Sequence, residues 1–321
     1  MRPKILPAFT VDQYDRAKRL LAARVAYMMG RKFEEDDWAY VYCTAKNIPH
    51  TGWSNLNIDI MHKGLGVEHK MLKKSNKPLQ DLCGSSLMHP SATRSIRIPA
   101  LESDPNEVMY DVLTQYAELI SERTAKVLED SPGSVPDMRI GWLLWQESLK
   151  EFLYFEEEML PPNPNEYFAE WRDSGGGSRK ISKNLWIFEK ETGRKRYSVT
   201  TSAGAKIQPY FDVPPPNDPS LYFFRVQAEE LENDLVRIWV TESTARELKN
   251  ILGNISTTTV SNTILKAASE LTAYINEEEV TFEVAVAIVI SLEAYSALVN
   301  FFPGVSDEHM MQMLLQHLLS K

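Results

Sequence analysis

Residues Leu56 to Leu72 read LNIDIMHKGLGVEHKML, and apolar side chains alternate with polar ones along the first part of this stretch. Alternation of this kind is typical of a β-strand that buries one face, because successive side chains of a strand point to opposite sides. Leu56, Ile58 and Ile60 are therefore predicted to share the buried face. Asp59 is predicted to lie on the opposite, polar face of the same strand.

A turn is predicted at His62-Lys63-Gly64, after which the chain returns as a second strand. The apolar side chains of that strand define its buried face: Leu65, Val67 and Met71. The same alternation leaves Glu68 and Lys70 together on the polar face and puts His69 on the packed face. Asp59, Glu68 and Lys70 are therefore expected to converge on one side of a hairpin.

Helices are predicted on both sides of this hairpin in the sequence. They run from the capping box of Thr10 and Gln13 to Gly30, from the acidic cluster 34–37 through Tyr42, and from Asp104-Pro105 to about Asp130. The stretch Arg139 to Trp145 is apolar on both faces, which predicts a central strand. Together these elements predict an α/β fold with a central mixed β-sheet flanked by helices.

A basic hairpin is predicted in the second half of the chain. Lys183 to Phe188 and Arg196 to Thr201 flank the turn Glu191-Thr192-Gly193. Residues 172–206 carry nine Lys or Arg and three Asp or Glu, a balance of +6 in a chain whose net charge is −9. This local reversal of sign predicts a basic face that attracts a polyanion.

Two regions are predicted along the chain, a main domain at 1–240 and a helical C-terminal region at 241–321 that supports the fold or mediates dimerisation. Val284 to Leu292 is the most apolar run and is interpreted as a core helix. It is much shorter than the roughly 20 residues that cross a bilayer, so no membrane association is expected. The first 30 residues lack the apolar core of an export signal, which predicts a cytoplasmic protein.

The composition is that of an ordinary globular protein, with 43% hydrophobic and 25% charged residues. Cys43 and Cys83 are isolated in the sequence, so neither a disulfide framework nor a structural zinc site is expected. The spacing of His309 and His317 also does not fit a pair of metal ligands on one helix turn. A hard, oxygen-liganded cation is the kind of metal that the remaining acidic residues would suit.

Two carboxylates and a lysine on one face of a hairpin have the chemistry that phosphodiester hydrolysis requires. The reaction needs the phosphoryl charge neutralised and a water molecule activated. Carboxylates on adjacent strands can hold magnesium through their oxygens, and a nearby lysine can position the water. The alternative interpretation is an exposed hairpin on which Glu68 and Lys70 form a surface ion pair.

Asp59 followed by Glu68-His69-Lys70 on a neighbouring strand resembles the signature of the PD-(D/E)xK nucleases, and most closely that of type II restriction endonucleases. The resemblance implies a restriction-endonuclease-like core, Mg²⁺ as cofactor, Asp59 and Glu68 as its ligands, and Lys70 as the residue that assists the water. Members often add a carboxylate from a preceding helix, for which Glu35, or alternatively Glu34, is the candidate. Ile58 stands where the name-giving proline would be.

Double-stranded DNA is the expected partner, and cleavage of a symmetric site favours a homodimer. The residues expected to contact DNA are Lys63, Lys73, Arg179, Lys180, Lys183, Arg194, Lys195 and Arg196, with Arg179, Arg194 and Arg196 as candidates for reading guanine. The main functional hypothesis is a sequence-specific restriction enzyme. Two alternatives stay open: a repair or phage-processing nuclease of the same superfamily, and a DNA-binding regulator that cleaves nothing.

Overall fold

The computed structural model describes residues 3–28, 32–49, 58–75, 77–90, 95–98, 103–174, 182–200, 205–268 and 285–319. Within these ranges the α-helices are α1 (Val11–Ala26), α2 (Glu35–Lys46), α3 (Pro105–Asp130), α4 (Glu242–Leu252), α5 (Thr257–Ala268), α6 (Leu292–Phe301) and α7 (Asp307–Leu319). The strands are β1 (Ile5–Leu6), β2 (Ile60–His62), β3 (Leu65–Lys74), β4 (Ser86–Met88), β5 (Ser95–Ile96), β6 (Asp137–Gln146), β7 (Glu151–Glu158), β8 (Tyr167–Ser174), β9 (Ser182–Glu189), β10 (Lys195–Thr200), β11 (Ala205–Asp212), β12 (Tyr222–Arg225), β13 (Glu229–Leu231), β14 (Leu235–Thr241) and β15 (Ala285–Ser291). They form three sheets.

The central sheet has the strand order β1-β7-β6-β3-β2, and β12 also pairs with β7. β3 and β6 are parallel, with Glu68 opposite Ile140, whereas the other pairs are antiparallel. A parallel neighbour requires a crossover, and α3 supplies it. The predicted α/β class with a mixed sheet is confirmed, and β6 lies between two neighbours as predicted for the stretch Arg139 to Trp145.

One face of the central sheet is covered by α1 and α2. α1 begins at the predicted capping box, in which Thr10 and Gln13 exchange hydrogen bonds with each other's backbone N–H. Leu21 and Trp38 are fully buried in the apolar cluster that these helices form with the sheet. Removing such side chains from water is the main favourable contribution to this interface.

The other face of the central sheet packs against α3 and against the second sheet. Asp104 caps α3 by accepting hydrogen bonds from the N–H groups of Asn106 and Glu107, as its position before Pro105 predicts. The N-terminal half of α3 packs on the second sheet and its C-terminal half on the central one. Phe211 of β11 stacks on Trp142 of β6 with ring centroids 3.9 Å apart, which joins the two sheets directly.

The second sheet has the strand order β4-β11-β10-β9-β8, and β5 also pairs with β11. Its β9 and β10 form the predicted antiparallel hairpin, in which Gly193 adopts a positive φ of 64° at the turn. Glycine suits this position because it lacks the Cβ that disfavours such a backbone.

The C-terminal region is a small sheet with helices, not helices alone. β13, β14 and β15 pair in that order, and α4, α5, α6 and α7 pack on them in one apolar cluster. The core helix expected at 284–292 is wrong, because Ala285–Ser291 is strand β15, with Ile288 opposite Ile238. β-Branched residues favour this extended state once a neighbouring strand is present to pair with them. No described helix has both the length and the apolar character that crossing a bilayer demands.

Candidate active site

The hairpin at the edge of the central sheet is formed by β2 and β3, with Ile60 opposite Val67. Lys63 and Gly64 make the turn, and both have positive φ, at 49° and 84°. A Cβ on Gly64 would lie 2.8 Å from Ser134 Oγ, so the tight approach of the neighbouring loop also requires glycine. The predicted hairpin and the position of its turn are confirmed.

The chain bends at Asp59, and β2 starts only at Ile60. Ile58 packs with Ile120 and Val127 of α3, whereas Ile60 belongs to the cluster on the α1 and α2 side of the sheet. The predicted common face of Ile58 and Ile60 is therefore wrong, and Leu56 lies outside the described residues. The bend turns the Asp59 carboxylate toward β3.

Asp59 is bound to the backbone of β3. Its Oδ2 accepts a hydrogen bond of 2.7 Å from the N–H of His69, the residue between Glu68 and Lys70. This contact fixes the carboxylate beside the Glu-x-Lys segment. The sequence predicted that Asp59 lies near Glu68 and Lys70. The reason given was strand alternation, whereas in the structure a bend of the chain brings Asp59 there.

Glu68 and Lys70 lie side by side on one face of β3, as two residues two positions apart in a strand must. Lys70 Nζ is 2.5 Å from Glu68 Oε1, and the Glu68 side chain is only 2% exposed. The interpretation of an exposed surface ion pair does not fit this burial. A charged group so deeply buried needs its partner, because desolvation of an unpaired charge is costly.

A second cation reaches Glu68 from α3. Arg123 Nη2 lies 3.2 Å from Glu68 Oε2, and the Arg123 side chain is 12% exposed. This residue was absent from the predicted site. One signal for it exists in the sequence: Arg123 falls between Ile120 and Val127 on the apolar stripe of α3, where a charged side chain needs a buried partner.

The electrostatics of Asp59 reflect this crowded environment. Burial, followed by the charge of Glu68, raises the pKa of the Asp59 carboxyl to about 7, although Lys70 and the His69 N–H act in the opposite direction. Glu35 also contributes to the increase in pKa. The acids and the lysine of the predicted site therefore interact with one another.

Glu35 stands in the first turn of α2, where negative charge is favoured by the helix dipole. With Lys73 and Trp145 it lines an open pocket of about 480 Å³. Glu34, the alternative candidate, is the N-cap of α2, and its backbone N–H donates to Asp37 Oδ2 at 2.9 Å. The effect on Asp59 favours Glu35 as the additional acid.

His69 lies on the packed face, as predicted. It is 2% exposed, and its ring contacts Tyr42 and Tyr154 at centroid distances of 5.0 and 5.9 Å. Burial lowers the pKa of the imidazole to about 3, so the ring is neutral at physiological pH. Among the described residues neither ring nitrogen makes a hydrogen bond. Because the ring faces away from Asp59 and Glu68, it is not a base for their chemistry.

The carboxylate oxygens at this site suit a hard divalent cation, but only a few of them are present among the described residues. Carboxylate oxygens are the ligands that magnesium prefers, and Asp59 and Glu68 supply them. Both Glu68 oxygens already face cations, Oε1 facing Lys70 and Oε2 facing Arg123, so a metal ion bound by Glu68 would have to share or replace one of these contacts. Within the described ranges no group of three or more His, Cys, Asp or Glu side chains is arranged to hold a metal ion. Water and phosphate oxygens would have to complete the coordination.

Two predicted DNA contacts lie at opposite ends of the hairpin. Lys63 is exposed at the turn. Lys73 is half-exposed near the other end of β3, where its Nζ lies 2.8 Å from Glu147 Oε1. An exposed pair of this kind contributes little to stability, so Lys73 can exchange its partner at low cost.

The predicted contacts on the second sheet differ in their surroundings. Arg196 is 11% exposed and bound to two carboxylates, with Nε 3.1 Å from Glu189 Oε1 and Nη1 3.4 Å from Asp212 Oδ2. Arg194 is half-exposed at 3.5 Å from Asp212. The remaining two described lysines lie over tryptophan rings: Lys195 over Trp186 and Lys183 over Trp171. Arg179 and Lys180 lie outside the described residues.

Comparison with known proteins identified no relative of this chain: no protein-family model, no curated protein and no solved structure matches it.

Proposed function

We propose that this protein is a magnesium-dependent endonuclease that hydrolyses phosphodiester bonds of double-stranded DNA at a specific sequence, as a type II restriction enzyme does. The observation that carries the proposal is the convergence of Asp59, Glu68 and Lys70 on one hairpin of the central sheet. The resemblance of these residues to the PD-(D/E)xK signature supports it. So does the order of elements, since α2 precedes the hairpin and α3 joins the parallel strands β3 and β6.

The roles of the residues follow from their contacts. Asp59 and Glu68 would hold Mg²⁺, which when bound neutralises phosphoryl charge and lowers the pKa of a water molecule. Lys70 Nζ is held 2.5 Å from Glu68 and its charge acts on Asp59, so its ammonium group would be placed to orient the attacking water or a phosphate oxygen. Arg123 fixes the far side of Glu68 and thereby keeps its carboxylate aimed at the same place. Glu35 would add negative charge at the edge of the site.

Double-stranded DNA and a second copy of the chain are the proposed partners. The basic residues of the second sheet would attract the DNA backbone, although Arg196 is bound to two acids and is better suited to support the hairpin than to read guanine. A two-fold homodimer would bring one centre to each strand of a symmetric site. We also propose that the protein acts in the cytoplasm, as half of a restriction-modification pair.

The test is incubation of purified protein with phage DNA and Mg²⁺. Discrete fragments are expected, and Asp59→Ala or Lys70→Ala should reduce cleavage at least about 100-fold because each removes a group that acts in the transition state. Both variants should still shift DNA in a gel without metal. Lys249→Ala, an exposed lysine on α4, is the matched control and should cleave normally. Full activity of either site variant would refute the assignment.

A DNA-binding regulator without nuclease activity is the second candidate. One observation favours it: Glu68 is already neutralised by Lys70 and Arg123, a purely structural arrangement that requires no metal. In the same experiment, DNA that is shifted but intact in the presence of Mg²⁺ supports this candidate. Nicking or general degradation instead supports a repair or phage-processing nuclease of the same superfamily.

A further inference from the structure

Among the described residues, the second sheet packs one of its two faces against a helix. Ala169, Leu185, Ile187 and Val199 pack against α3 in a single apolar cluster. Because side chains alternate along a strand, their neighbours point to the opposite side, which we call the outer face. Among the described residues no helix or strand packs on the outer face.

Four aromatic side chains lie on or at the edge of the outer face and are partly exposed: Phe168, Trp186, Phe188 and Tyr210. None of them belongs to any of the apolar clusters formed by the described residues. Phe168 and Phe188 stack across β8 and β9 with centroids 5.2 Å apart. Trp186 lies next to Phe188, at 6.4 Å. Aromatic rings that are not used to build a core are typical of recognition surfaces.

Cations accompany these rings. Lys195 Nζ lies 3.3 Å from the centroid of Trp186 and 5.0 Å from that of Tyr210. The guanidinium carbon of Arg172 lies 5.9 Å from the Trp186 ring, and its Nη2 lies 2.5 Å from Glu170 Oε2 in an exposed ion pair that a phosphate can replace at low cost. Lys206, opposite Thr200 in the strand register, is exposed on the same face. Burial lowers the pKa of Lys195 to about 8, so its ammonium group stays mostly protonated at neutral pH.

We propose that the outer face of the second sheet binds single-stranded nucleic acid, with bases stacked on Trp186 and Phe188 and phosphates paired with Arg172, Lys195 and Lys206. Every base offers a π-face to an aromatic ring, so this recognition tolerates any sequence. Charge complementarity favours a polyanion: Arg172, Lys195 and Lys206 lie on this face, where Glu170 is the acid paired with Arg172, whereas the chain as a whole has a net charge of −9. A polyanion is thus attracted to this region and repelled by the rest of the surface.

A second copy of the chain suits this face less well. A two-fold dimer places the same patch on both subunits, so the cations of one copy would face those of the other. The face formed by β8, β9, β10 and β11 is also wider than the two-stranded ribbon that enters the major groove of a duplex. An open strand with splayed bases can instead lie across the sheet and reach several rings at once.

The Trp186 ring would contact Lys195 in the free protein and a stacked base in the complex. In the free protein its ammonium group covers the ring. A base that stacks there displaces the ammonium group, which then meets the phosphate of the incoming nucleotide at a distance that its flexible side chain can span. The cation–π contact is thus exchanged for a stacked base and an ion pair. The exchange involves no residue of the hairpin at Asp59.

The test is the binding of a fluorescently labelled oligothymidylate, measured by anisotropy in the presence of a chelator so that no cleavage occurs. Trp186→Ala should raise the Kd about 5- to 150-fold, the range measured for loss of one base stack. Lys195→Met should weaken binding and reduce the slope of log K against log salt by about 0.7, the value of one lost phosphate contact. Tyr110→Ala, an exposed aromatic on α3, is the control and should bind like the unmodified protein.

The proposal is overturned if neither Trp186→Ala nor Lys195→Met changes the Kd, or if these variants lose self-association while their affinity for the oligonucleotide is kept. Lys195→Met and a Lys206→Met variant change surface groups, so they test the proposal even if Trp186→Ala does not fold. Asp59→Ala should bind the oligonucleotide normally. Failure of the nuclease proposal and failure of this one are therefore separable.

Discussion

Asp59 lies beside Glu68 in a partly buried position, and burial together with the charge of that neighbour raises its pKa from 3.8 to about 7. Between these two pH values the folded protein holds a proton that the unfolded chain has released. Raising the pH through this window therefore lowers the free energy of unfolding, because the unfolded state binds fewer protons than the folded state. The proposed catalytic acid is thus a source of instability in the metal-free protein.

Asp59→Asn removes the ionisable carboxyl and with it the loss of stability at high pH. It keeps a side-chain oxygen that can accept the hydrogen bond from the His69 N–H. At about pH 8 the variant should exceed the unmodified protein in free energy of unfolding by on the order of 1–2 kcal/mol, a discounted part of the full shift. Near pH 4 the two should be equal. Urea unfolding at both pH values in a chelator is the measurement. A variant that is less stable at pH 8 would contradict the electrostatic account.

Arg123 compensates the buried charge of Glu68 and is expected to be important for stability. Arg123→Met should lower the free energy of unfolding by about 2–4 kcal/mol, because Glu68 would keep only Lys70 as a partner. Adding Glu68→Gln to Arg123→Met should recover part of the loss. The matched control is Arg246→Met, which removes an exposed pair with Glu242 at 3.5 Å and should change stability by less than about 0.5 kcal/mol. Additive effects of the two substitutions would show that the pair is not coupled.

Among the elements, the parallel pair β3 and β6 fixes the hairpin against the core, and Gly141 is its tightest point. Gly141 lies opposite His69 in the register. A Cβ there would clash with Tyr154 Oη and would lie 2.8 Å from His69 Cδ2. Only glycine leaves enough room for β6 to pack against the His69 imidazole. The imidazole in turn supports β3, the strand that carries Glu68.

Gly141→Ala should lower the free energy of unfolding by about 1–3 kcal/mol through overpacking. In a Tyr154→Phe background, which lacks the clashing hydroxyl, the same substitution should cost less. Thermal unfolding of the four proteins of this cycle is the measurement. Equal costs of Gly141→Ala in both backgrounds would mean that the clash with the hydroxyl does not set the packing here.

The strands of the C-terminal region show where periodicity fails to distinguish element types. Residues 285–291 are almost entirely apolar, so neither a helical nor a strand period stands out in them. The residues on either side of this segment do not indicate whether it forms a helix or a strand. Pairing with β14, which lies more than 40 positions earlier in the sequence, decides for the strand.

At the scale of the whole molecule, hydrogen bonds connect the first turn of α7 to the residues beside β13 and at the end of β14. Asp307 Oδ2 accepts a hydrogen bond of 2.9 Å from the Ala228 N–H, and Glu308 Oε2 accepts one of 2.7 Å from the Thr241 N–H. Both acids are about 2% exposed. They therefore add less to the acidic surface of this region than a count of its charges suggests.

Glu308→Ala should lower the free energy of unfolding of this region by about 2–3 kcal/mol, because it leaves the buried Thr241 N–H without its acceptor. Limited proteolysis should then cut within 228–319 faster than in the unmodified protein. Glu247→Ala, an exposed acid on α4, is the control and should show neither effect. Unchanged proteolysis of the Glu308 variant would contradict this role of α7.

The sequence by itself determined the features that depend on neighbours along the chain. The caps at Thr10 and Asp104, the turn at Lys63 and Gly64, and the common face of Glu68 and Lys70 all follow from local backbone geometry. Such features need no information about distant residues, which is why they could be predicted.

Tertiary structure decided what distant residues do to one another. The bend that brings Asp59 to the His69 N–H, the approach of Arg123 to Glu68, and the pairing of β15 with β14 each join segments that are separated in the sequence. Their formation depends on the packing of whole elements. For this reason the pattern of residues indicated a reactive hairpin, whereas only the folded chain determined the charges that surround it.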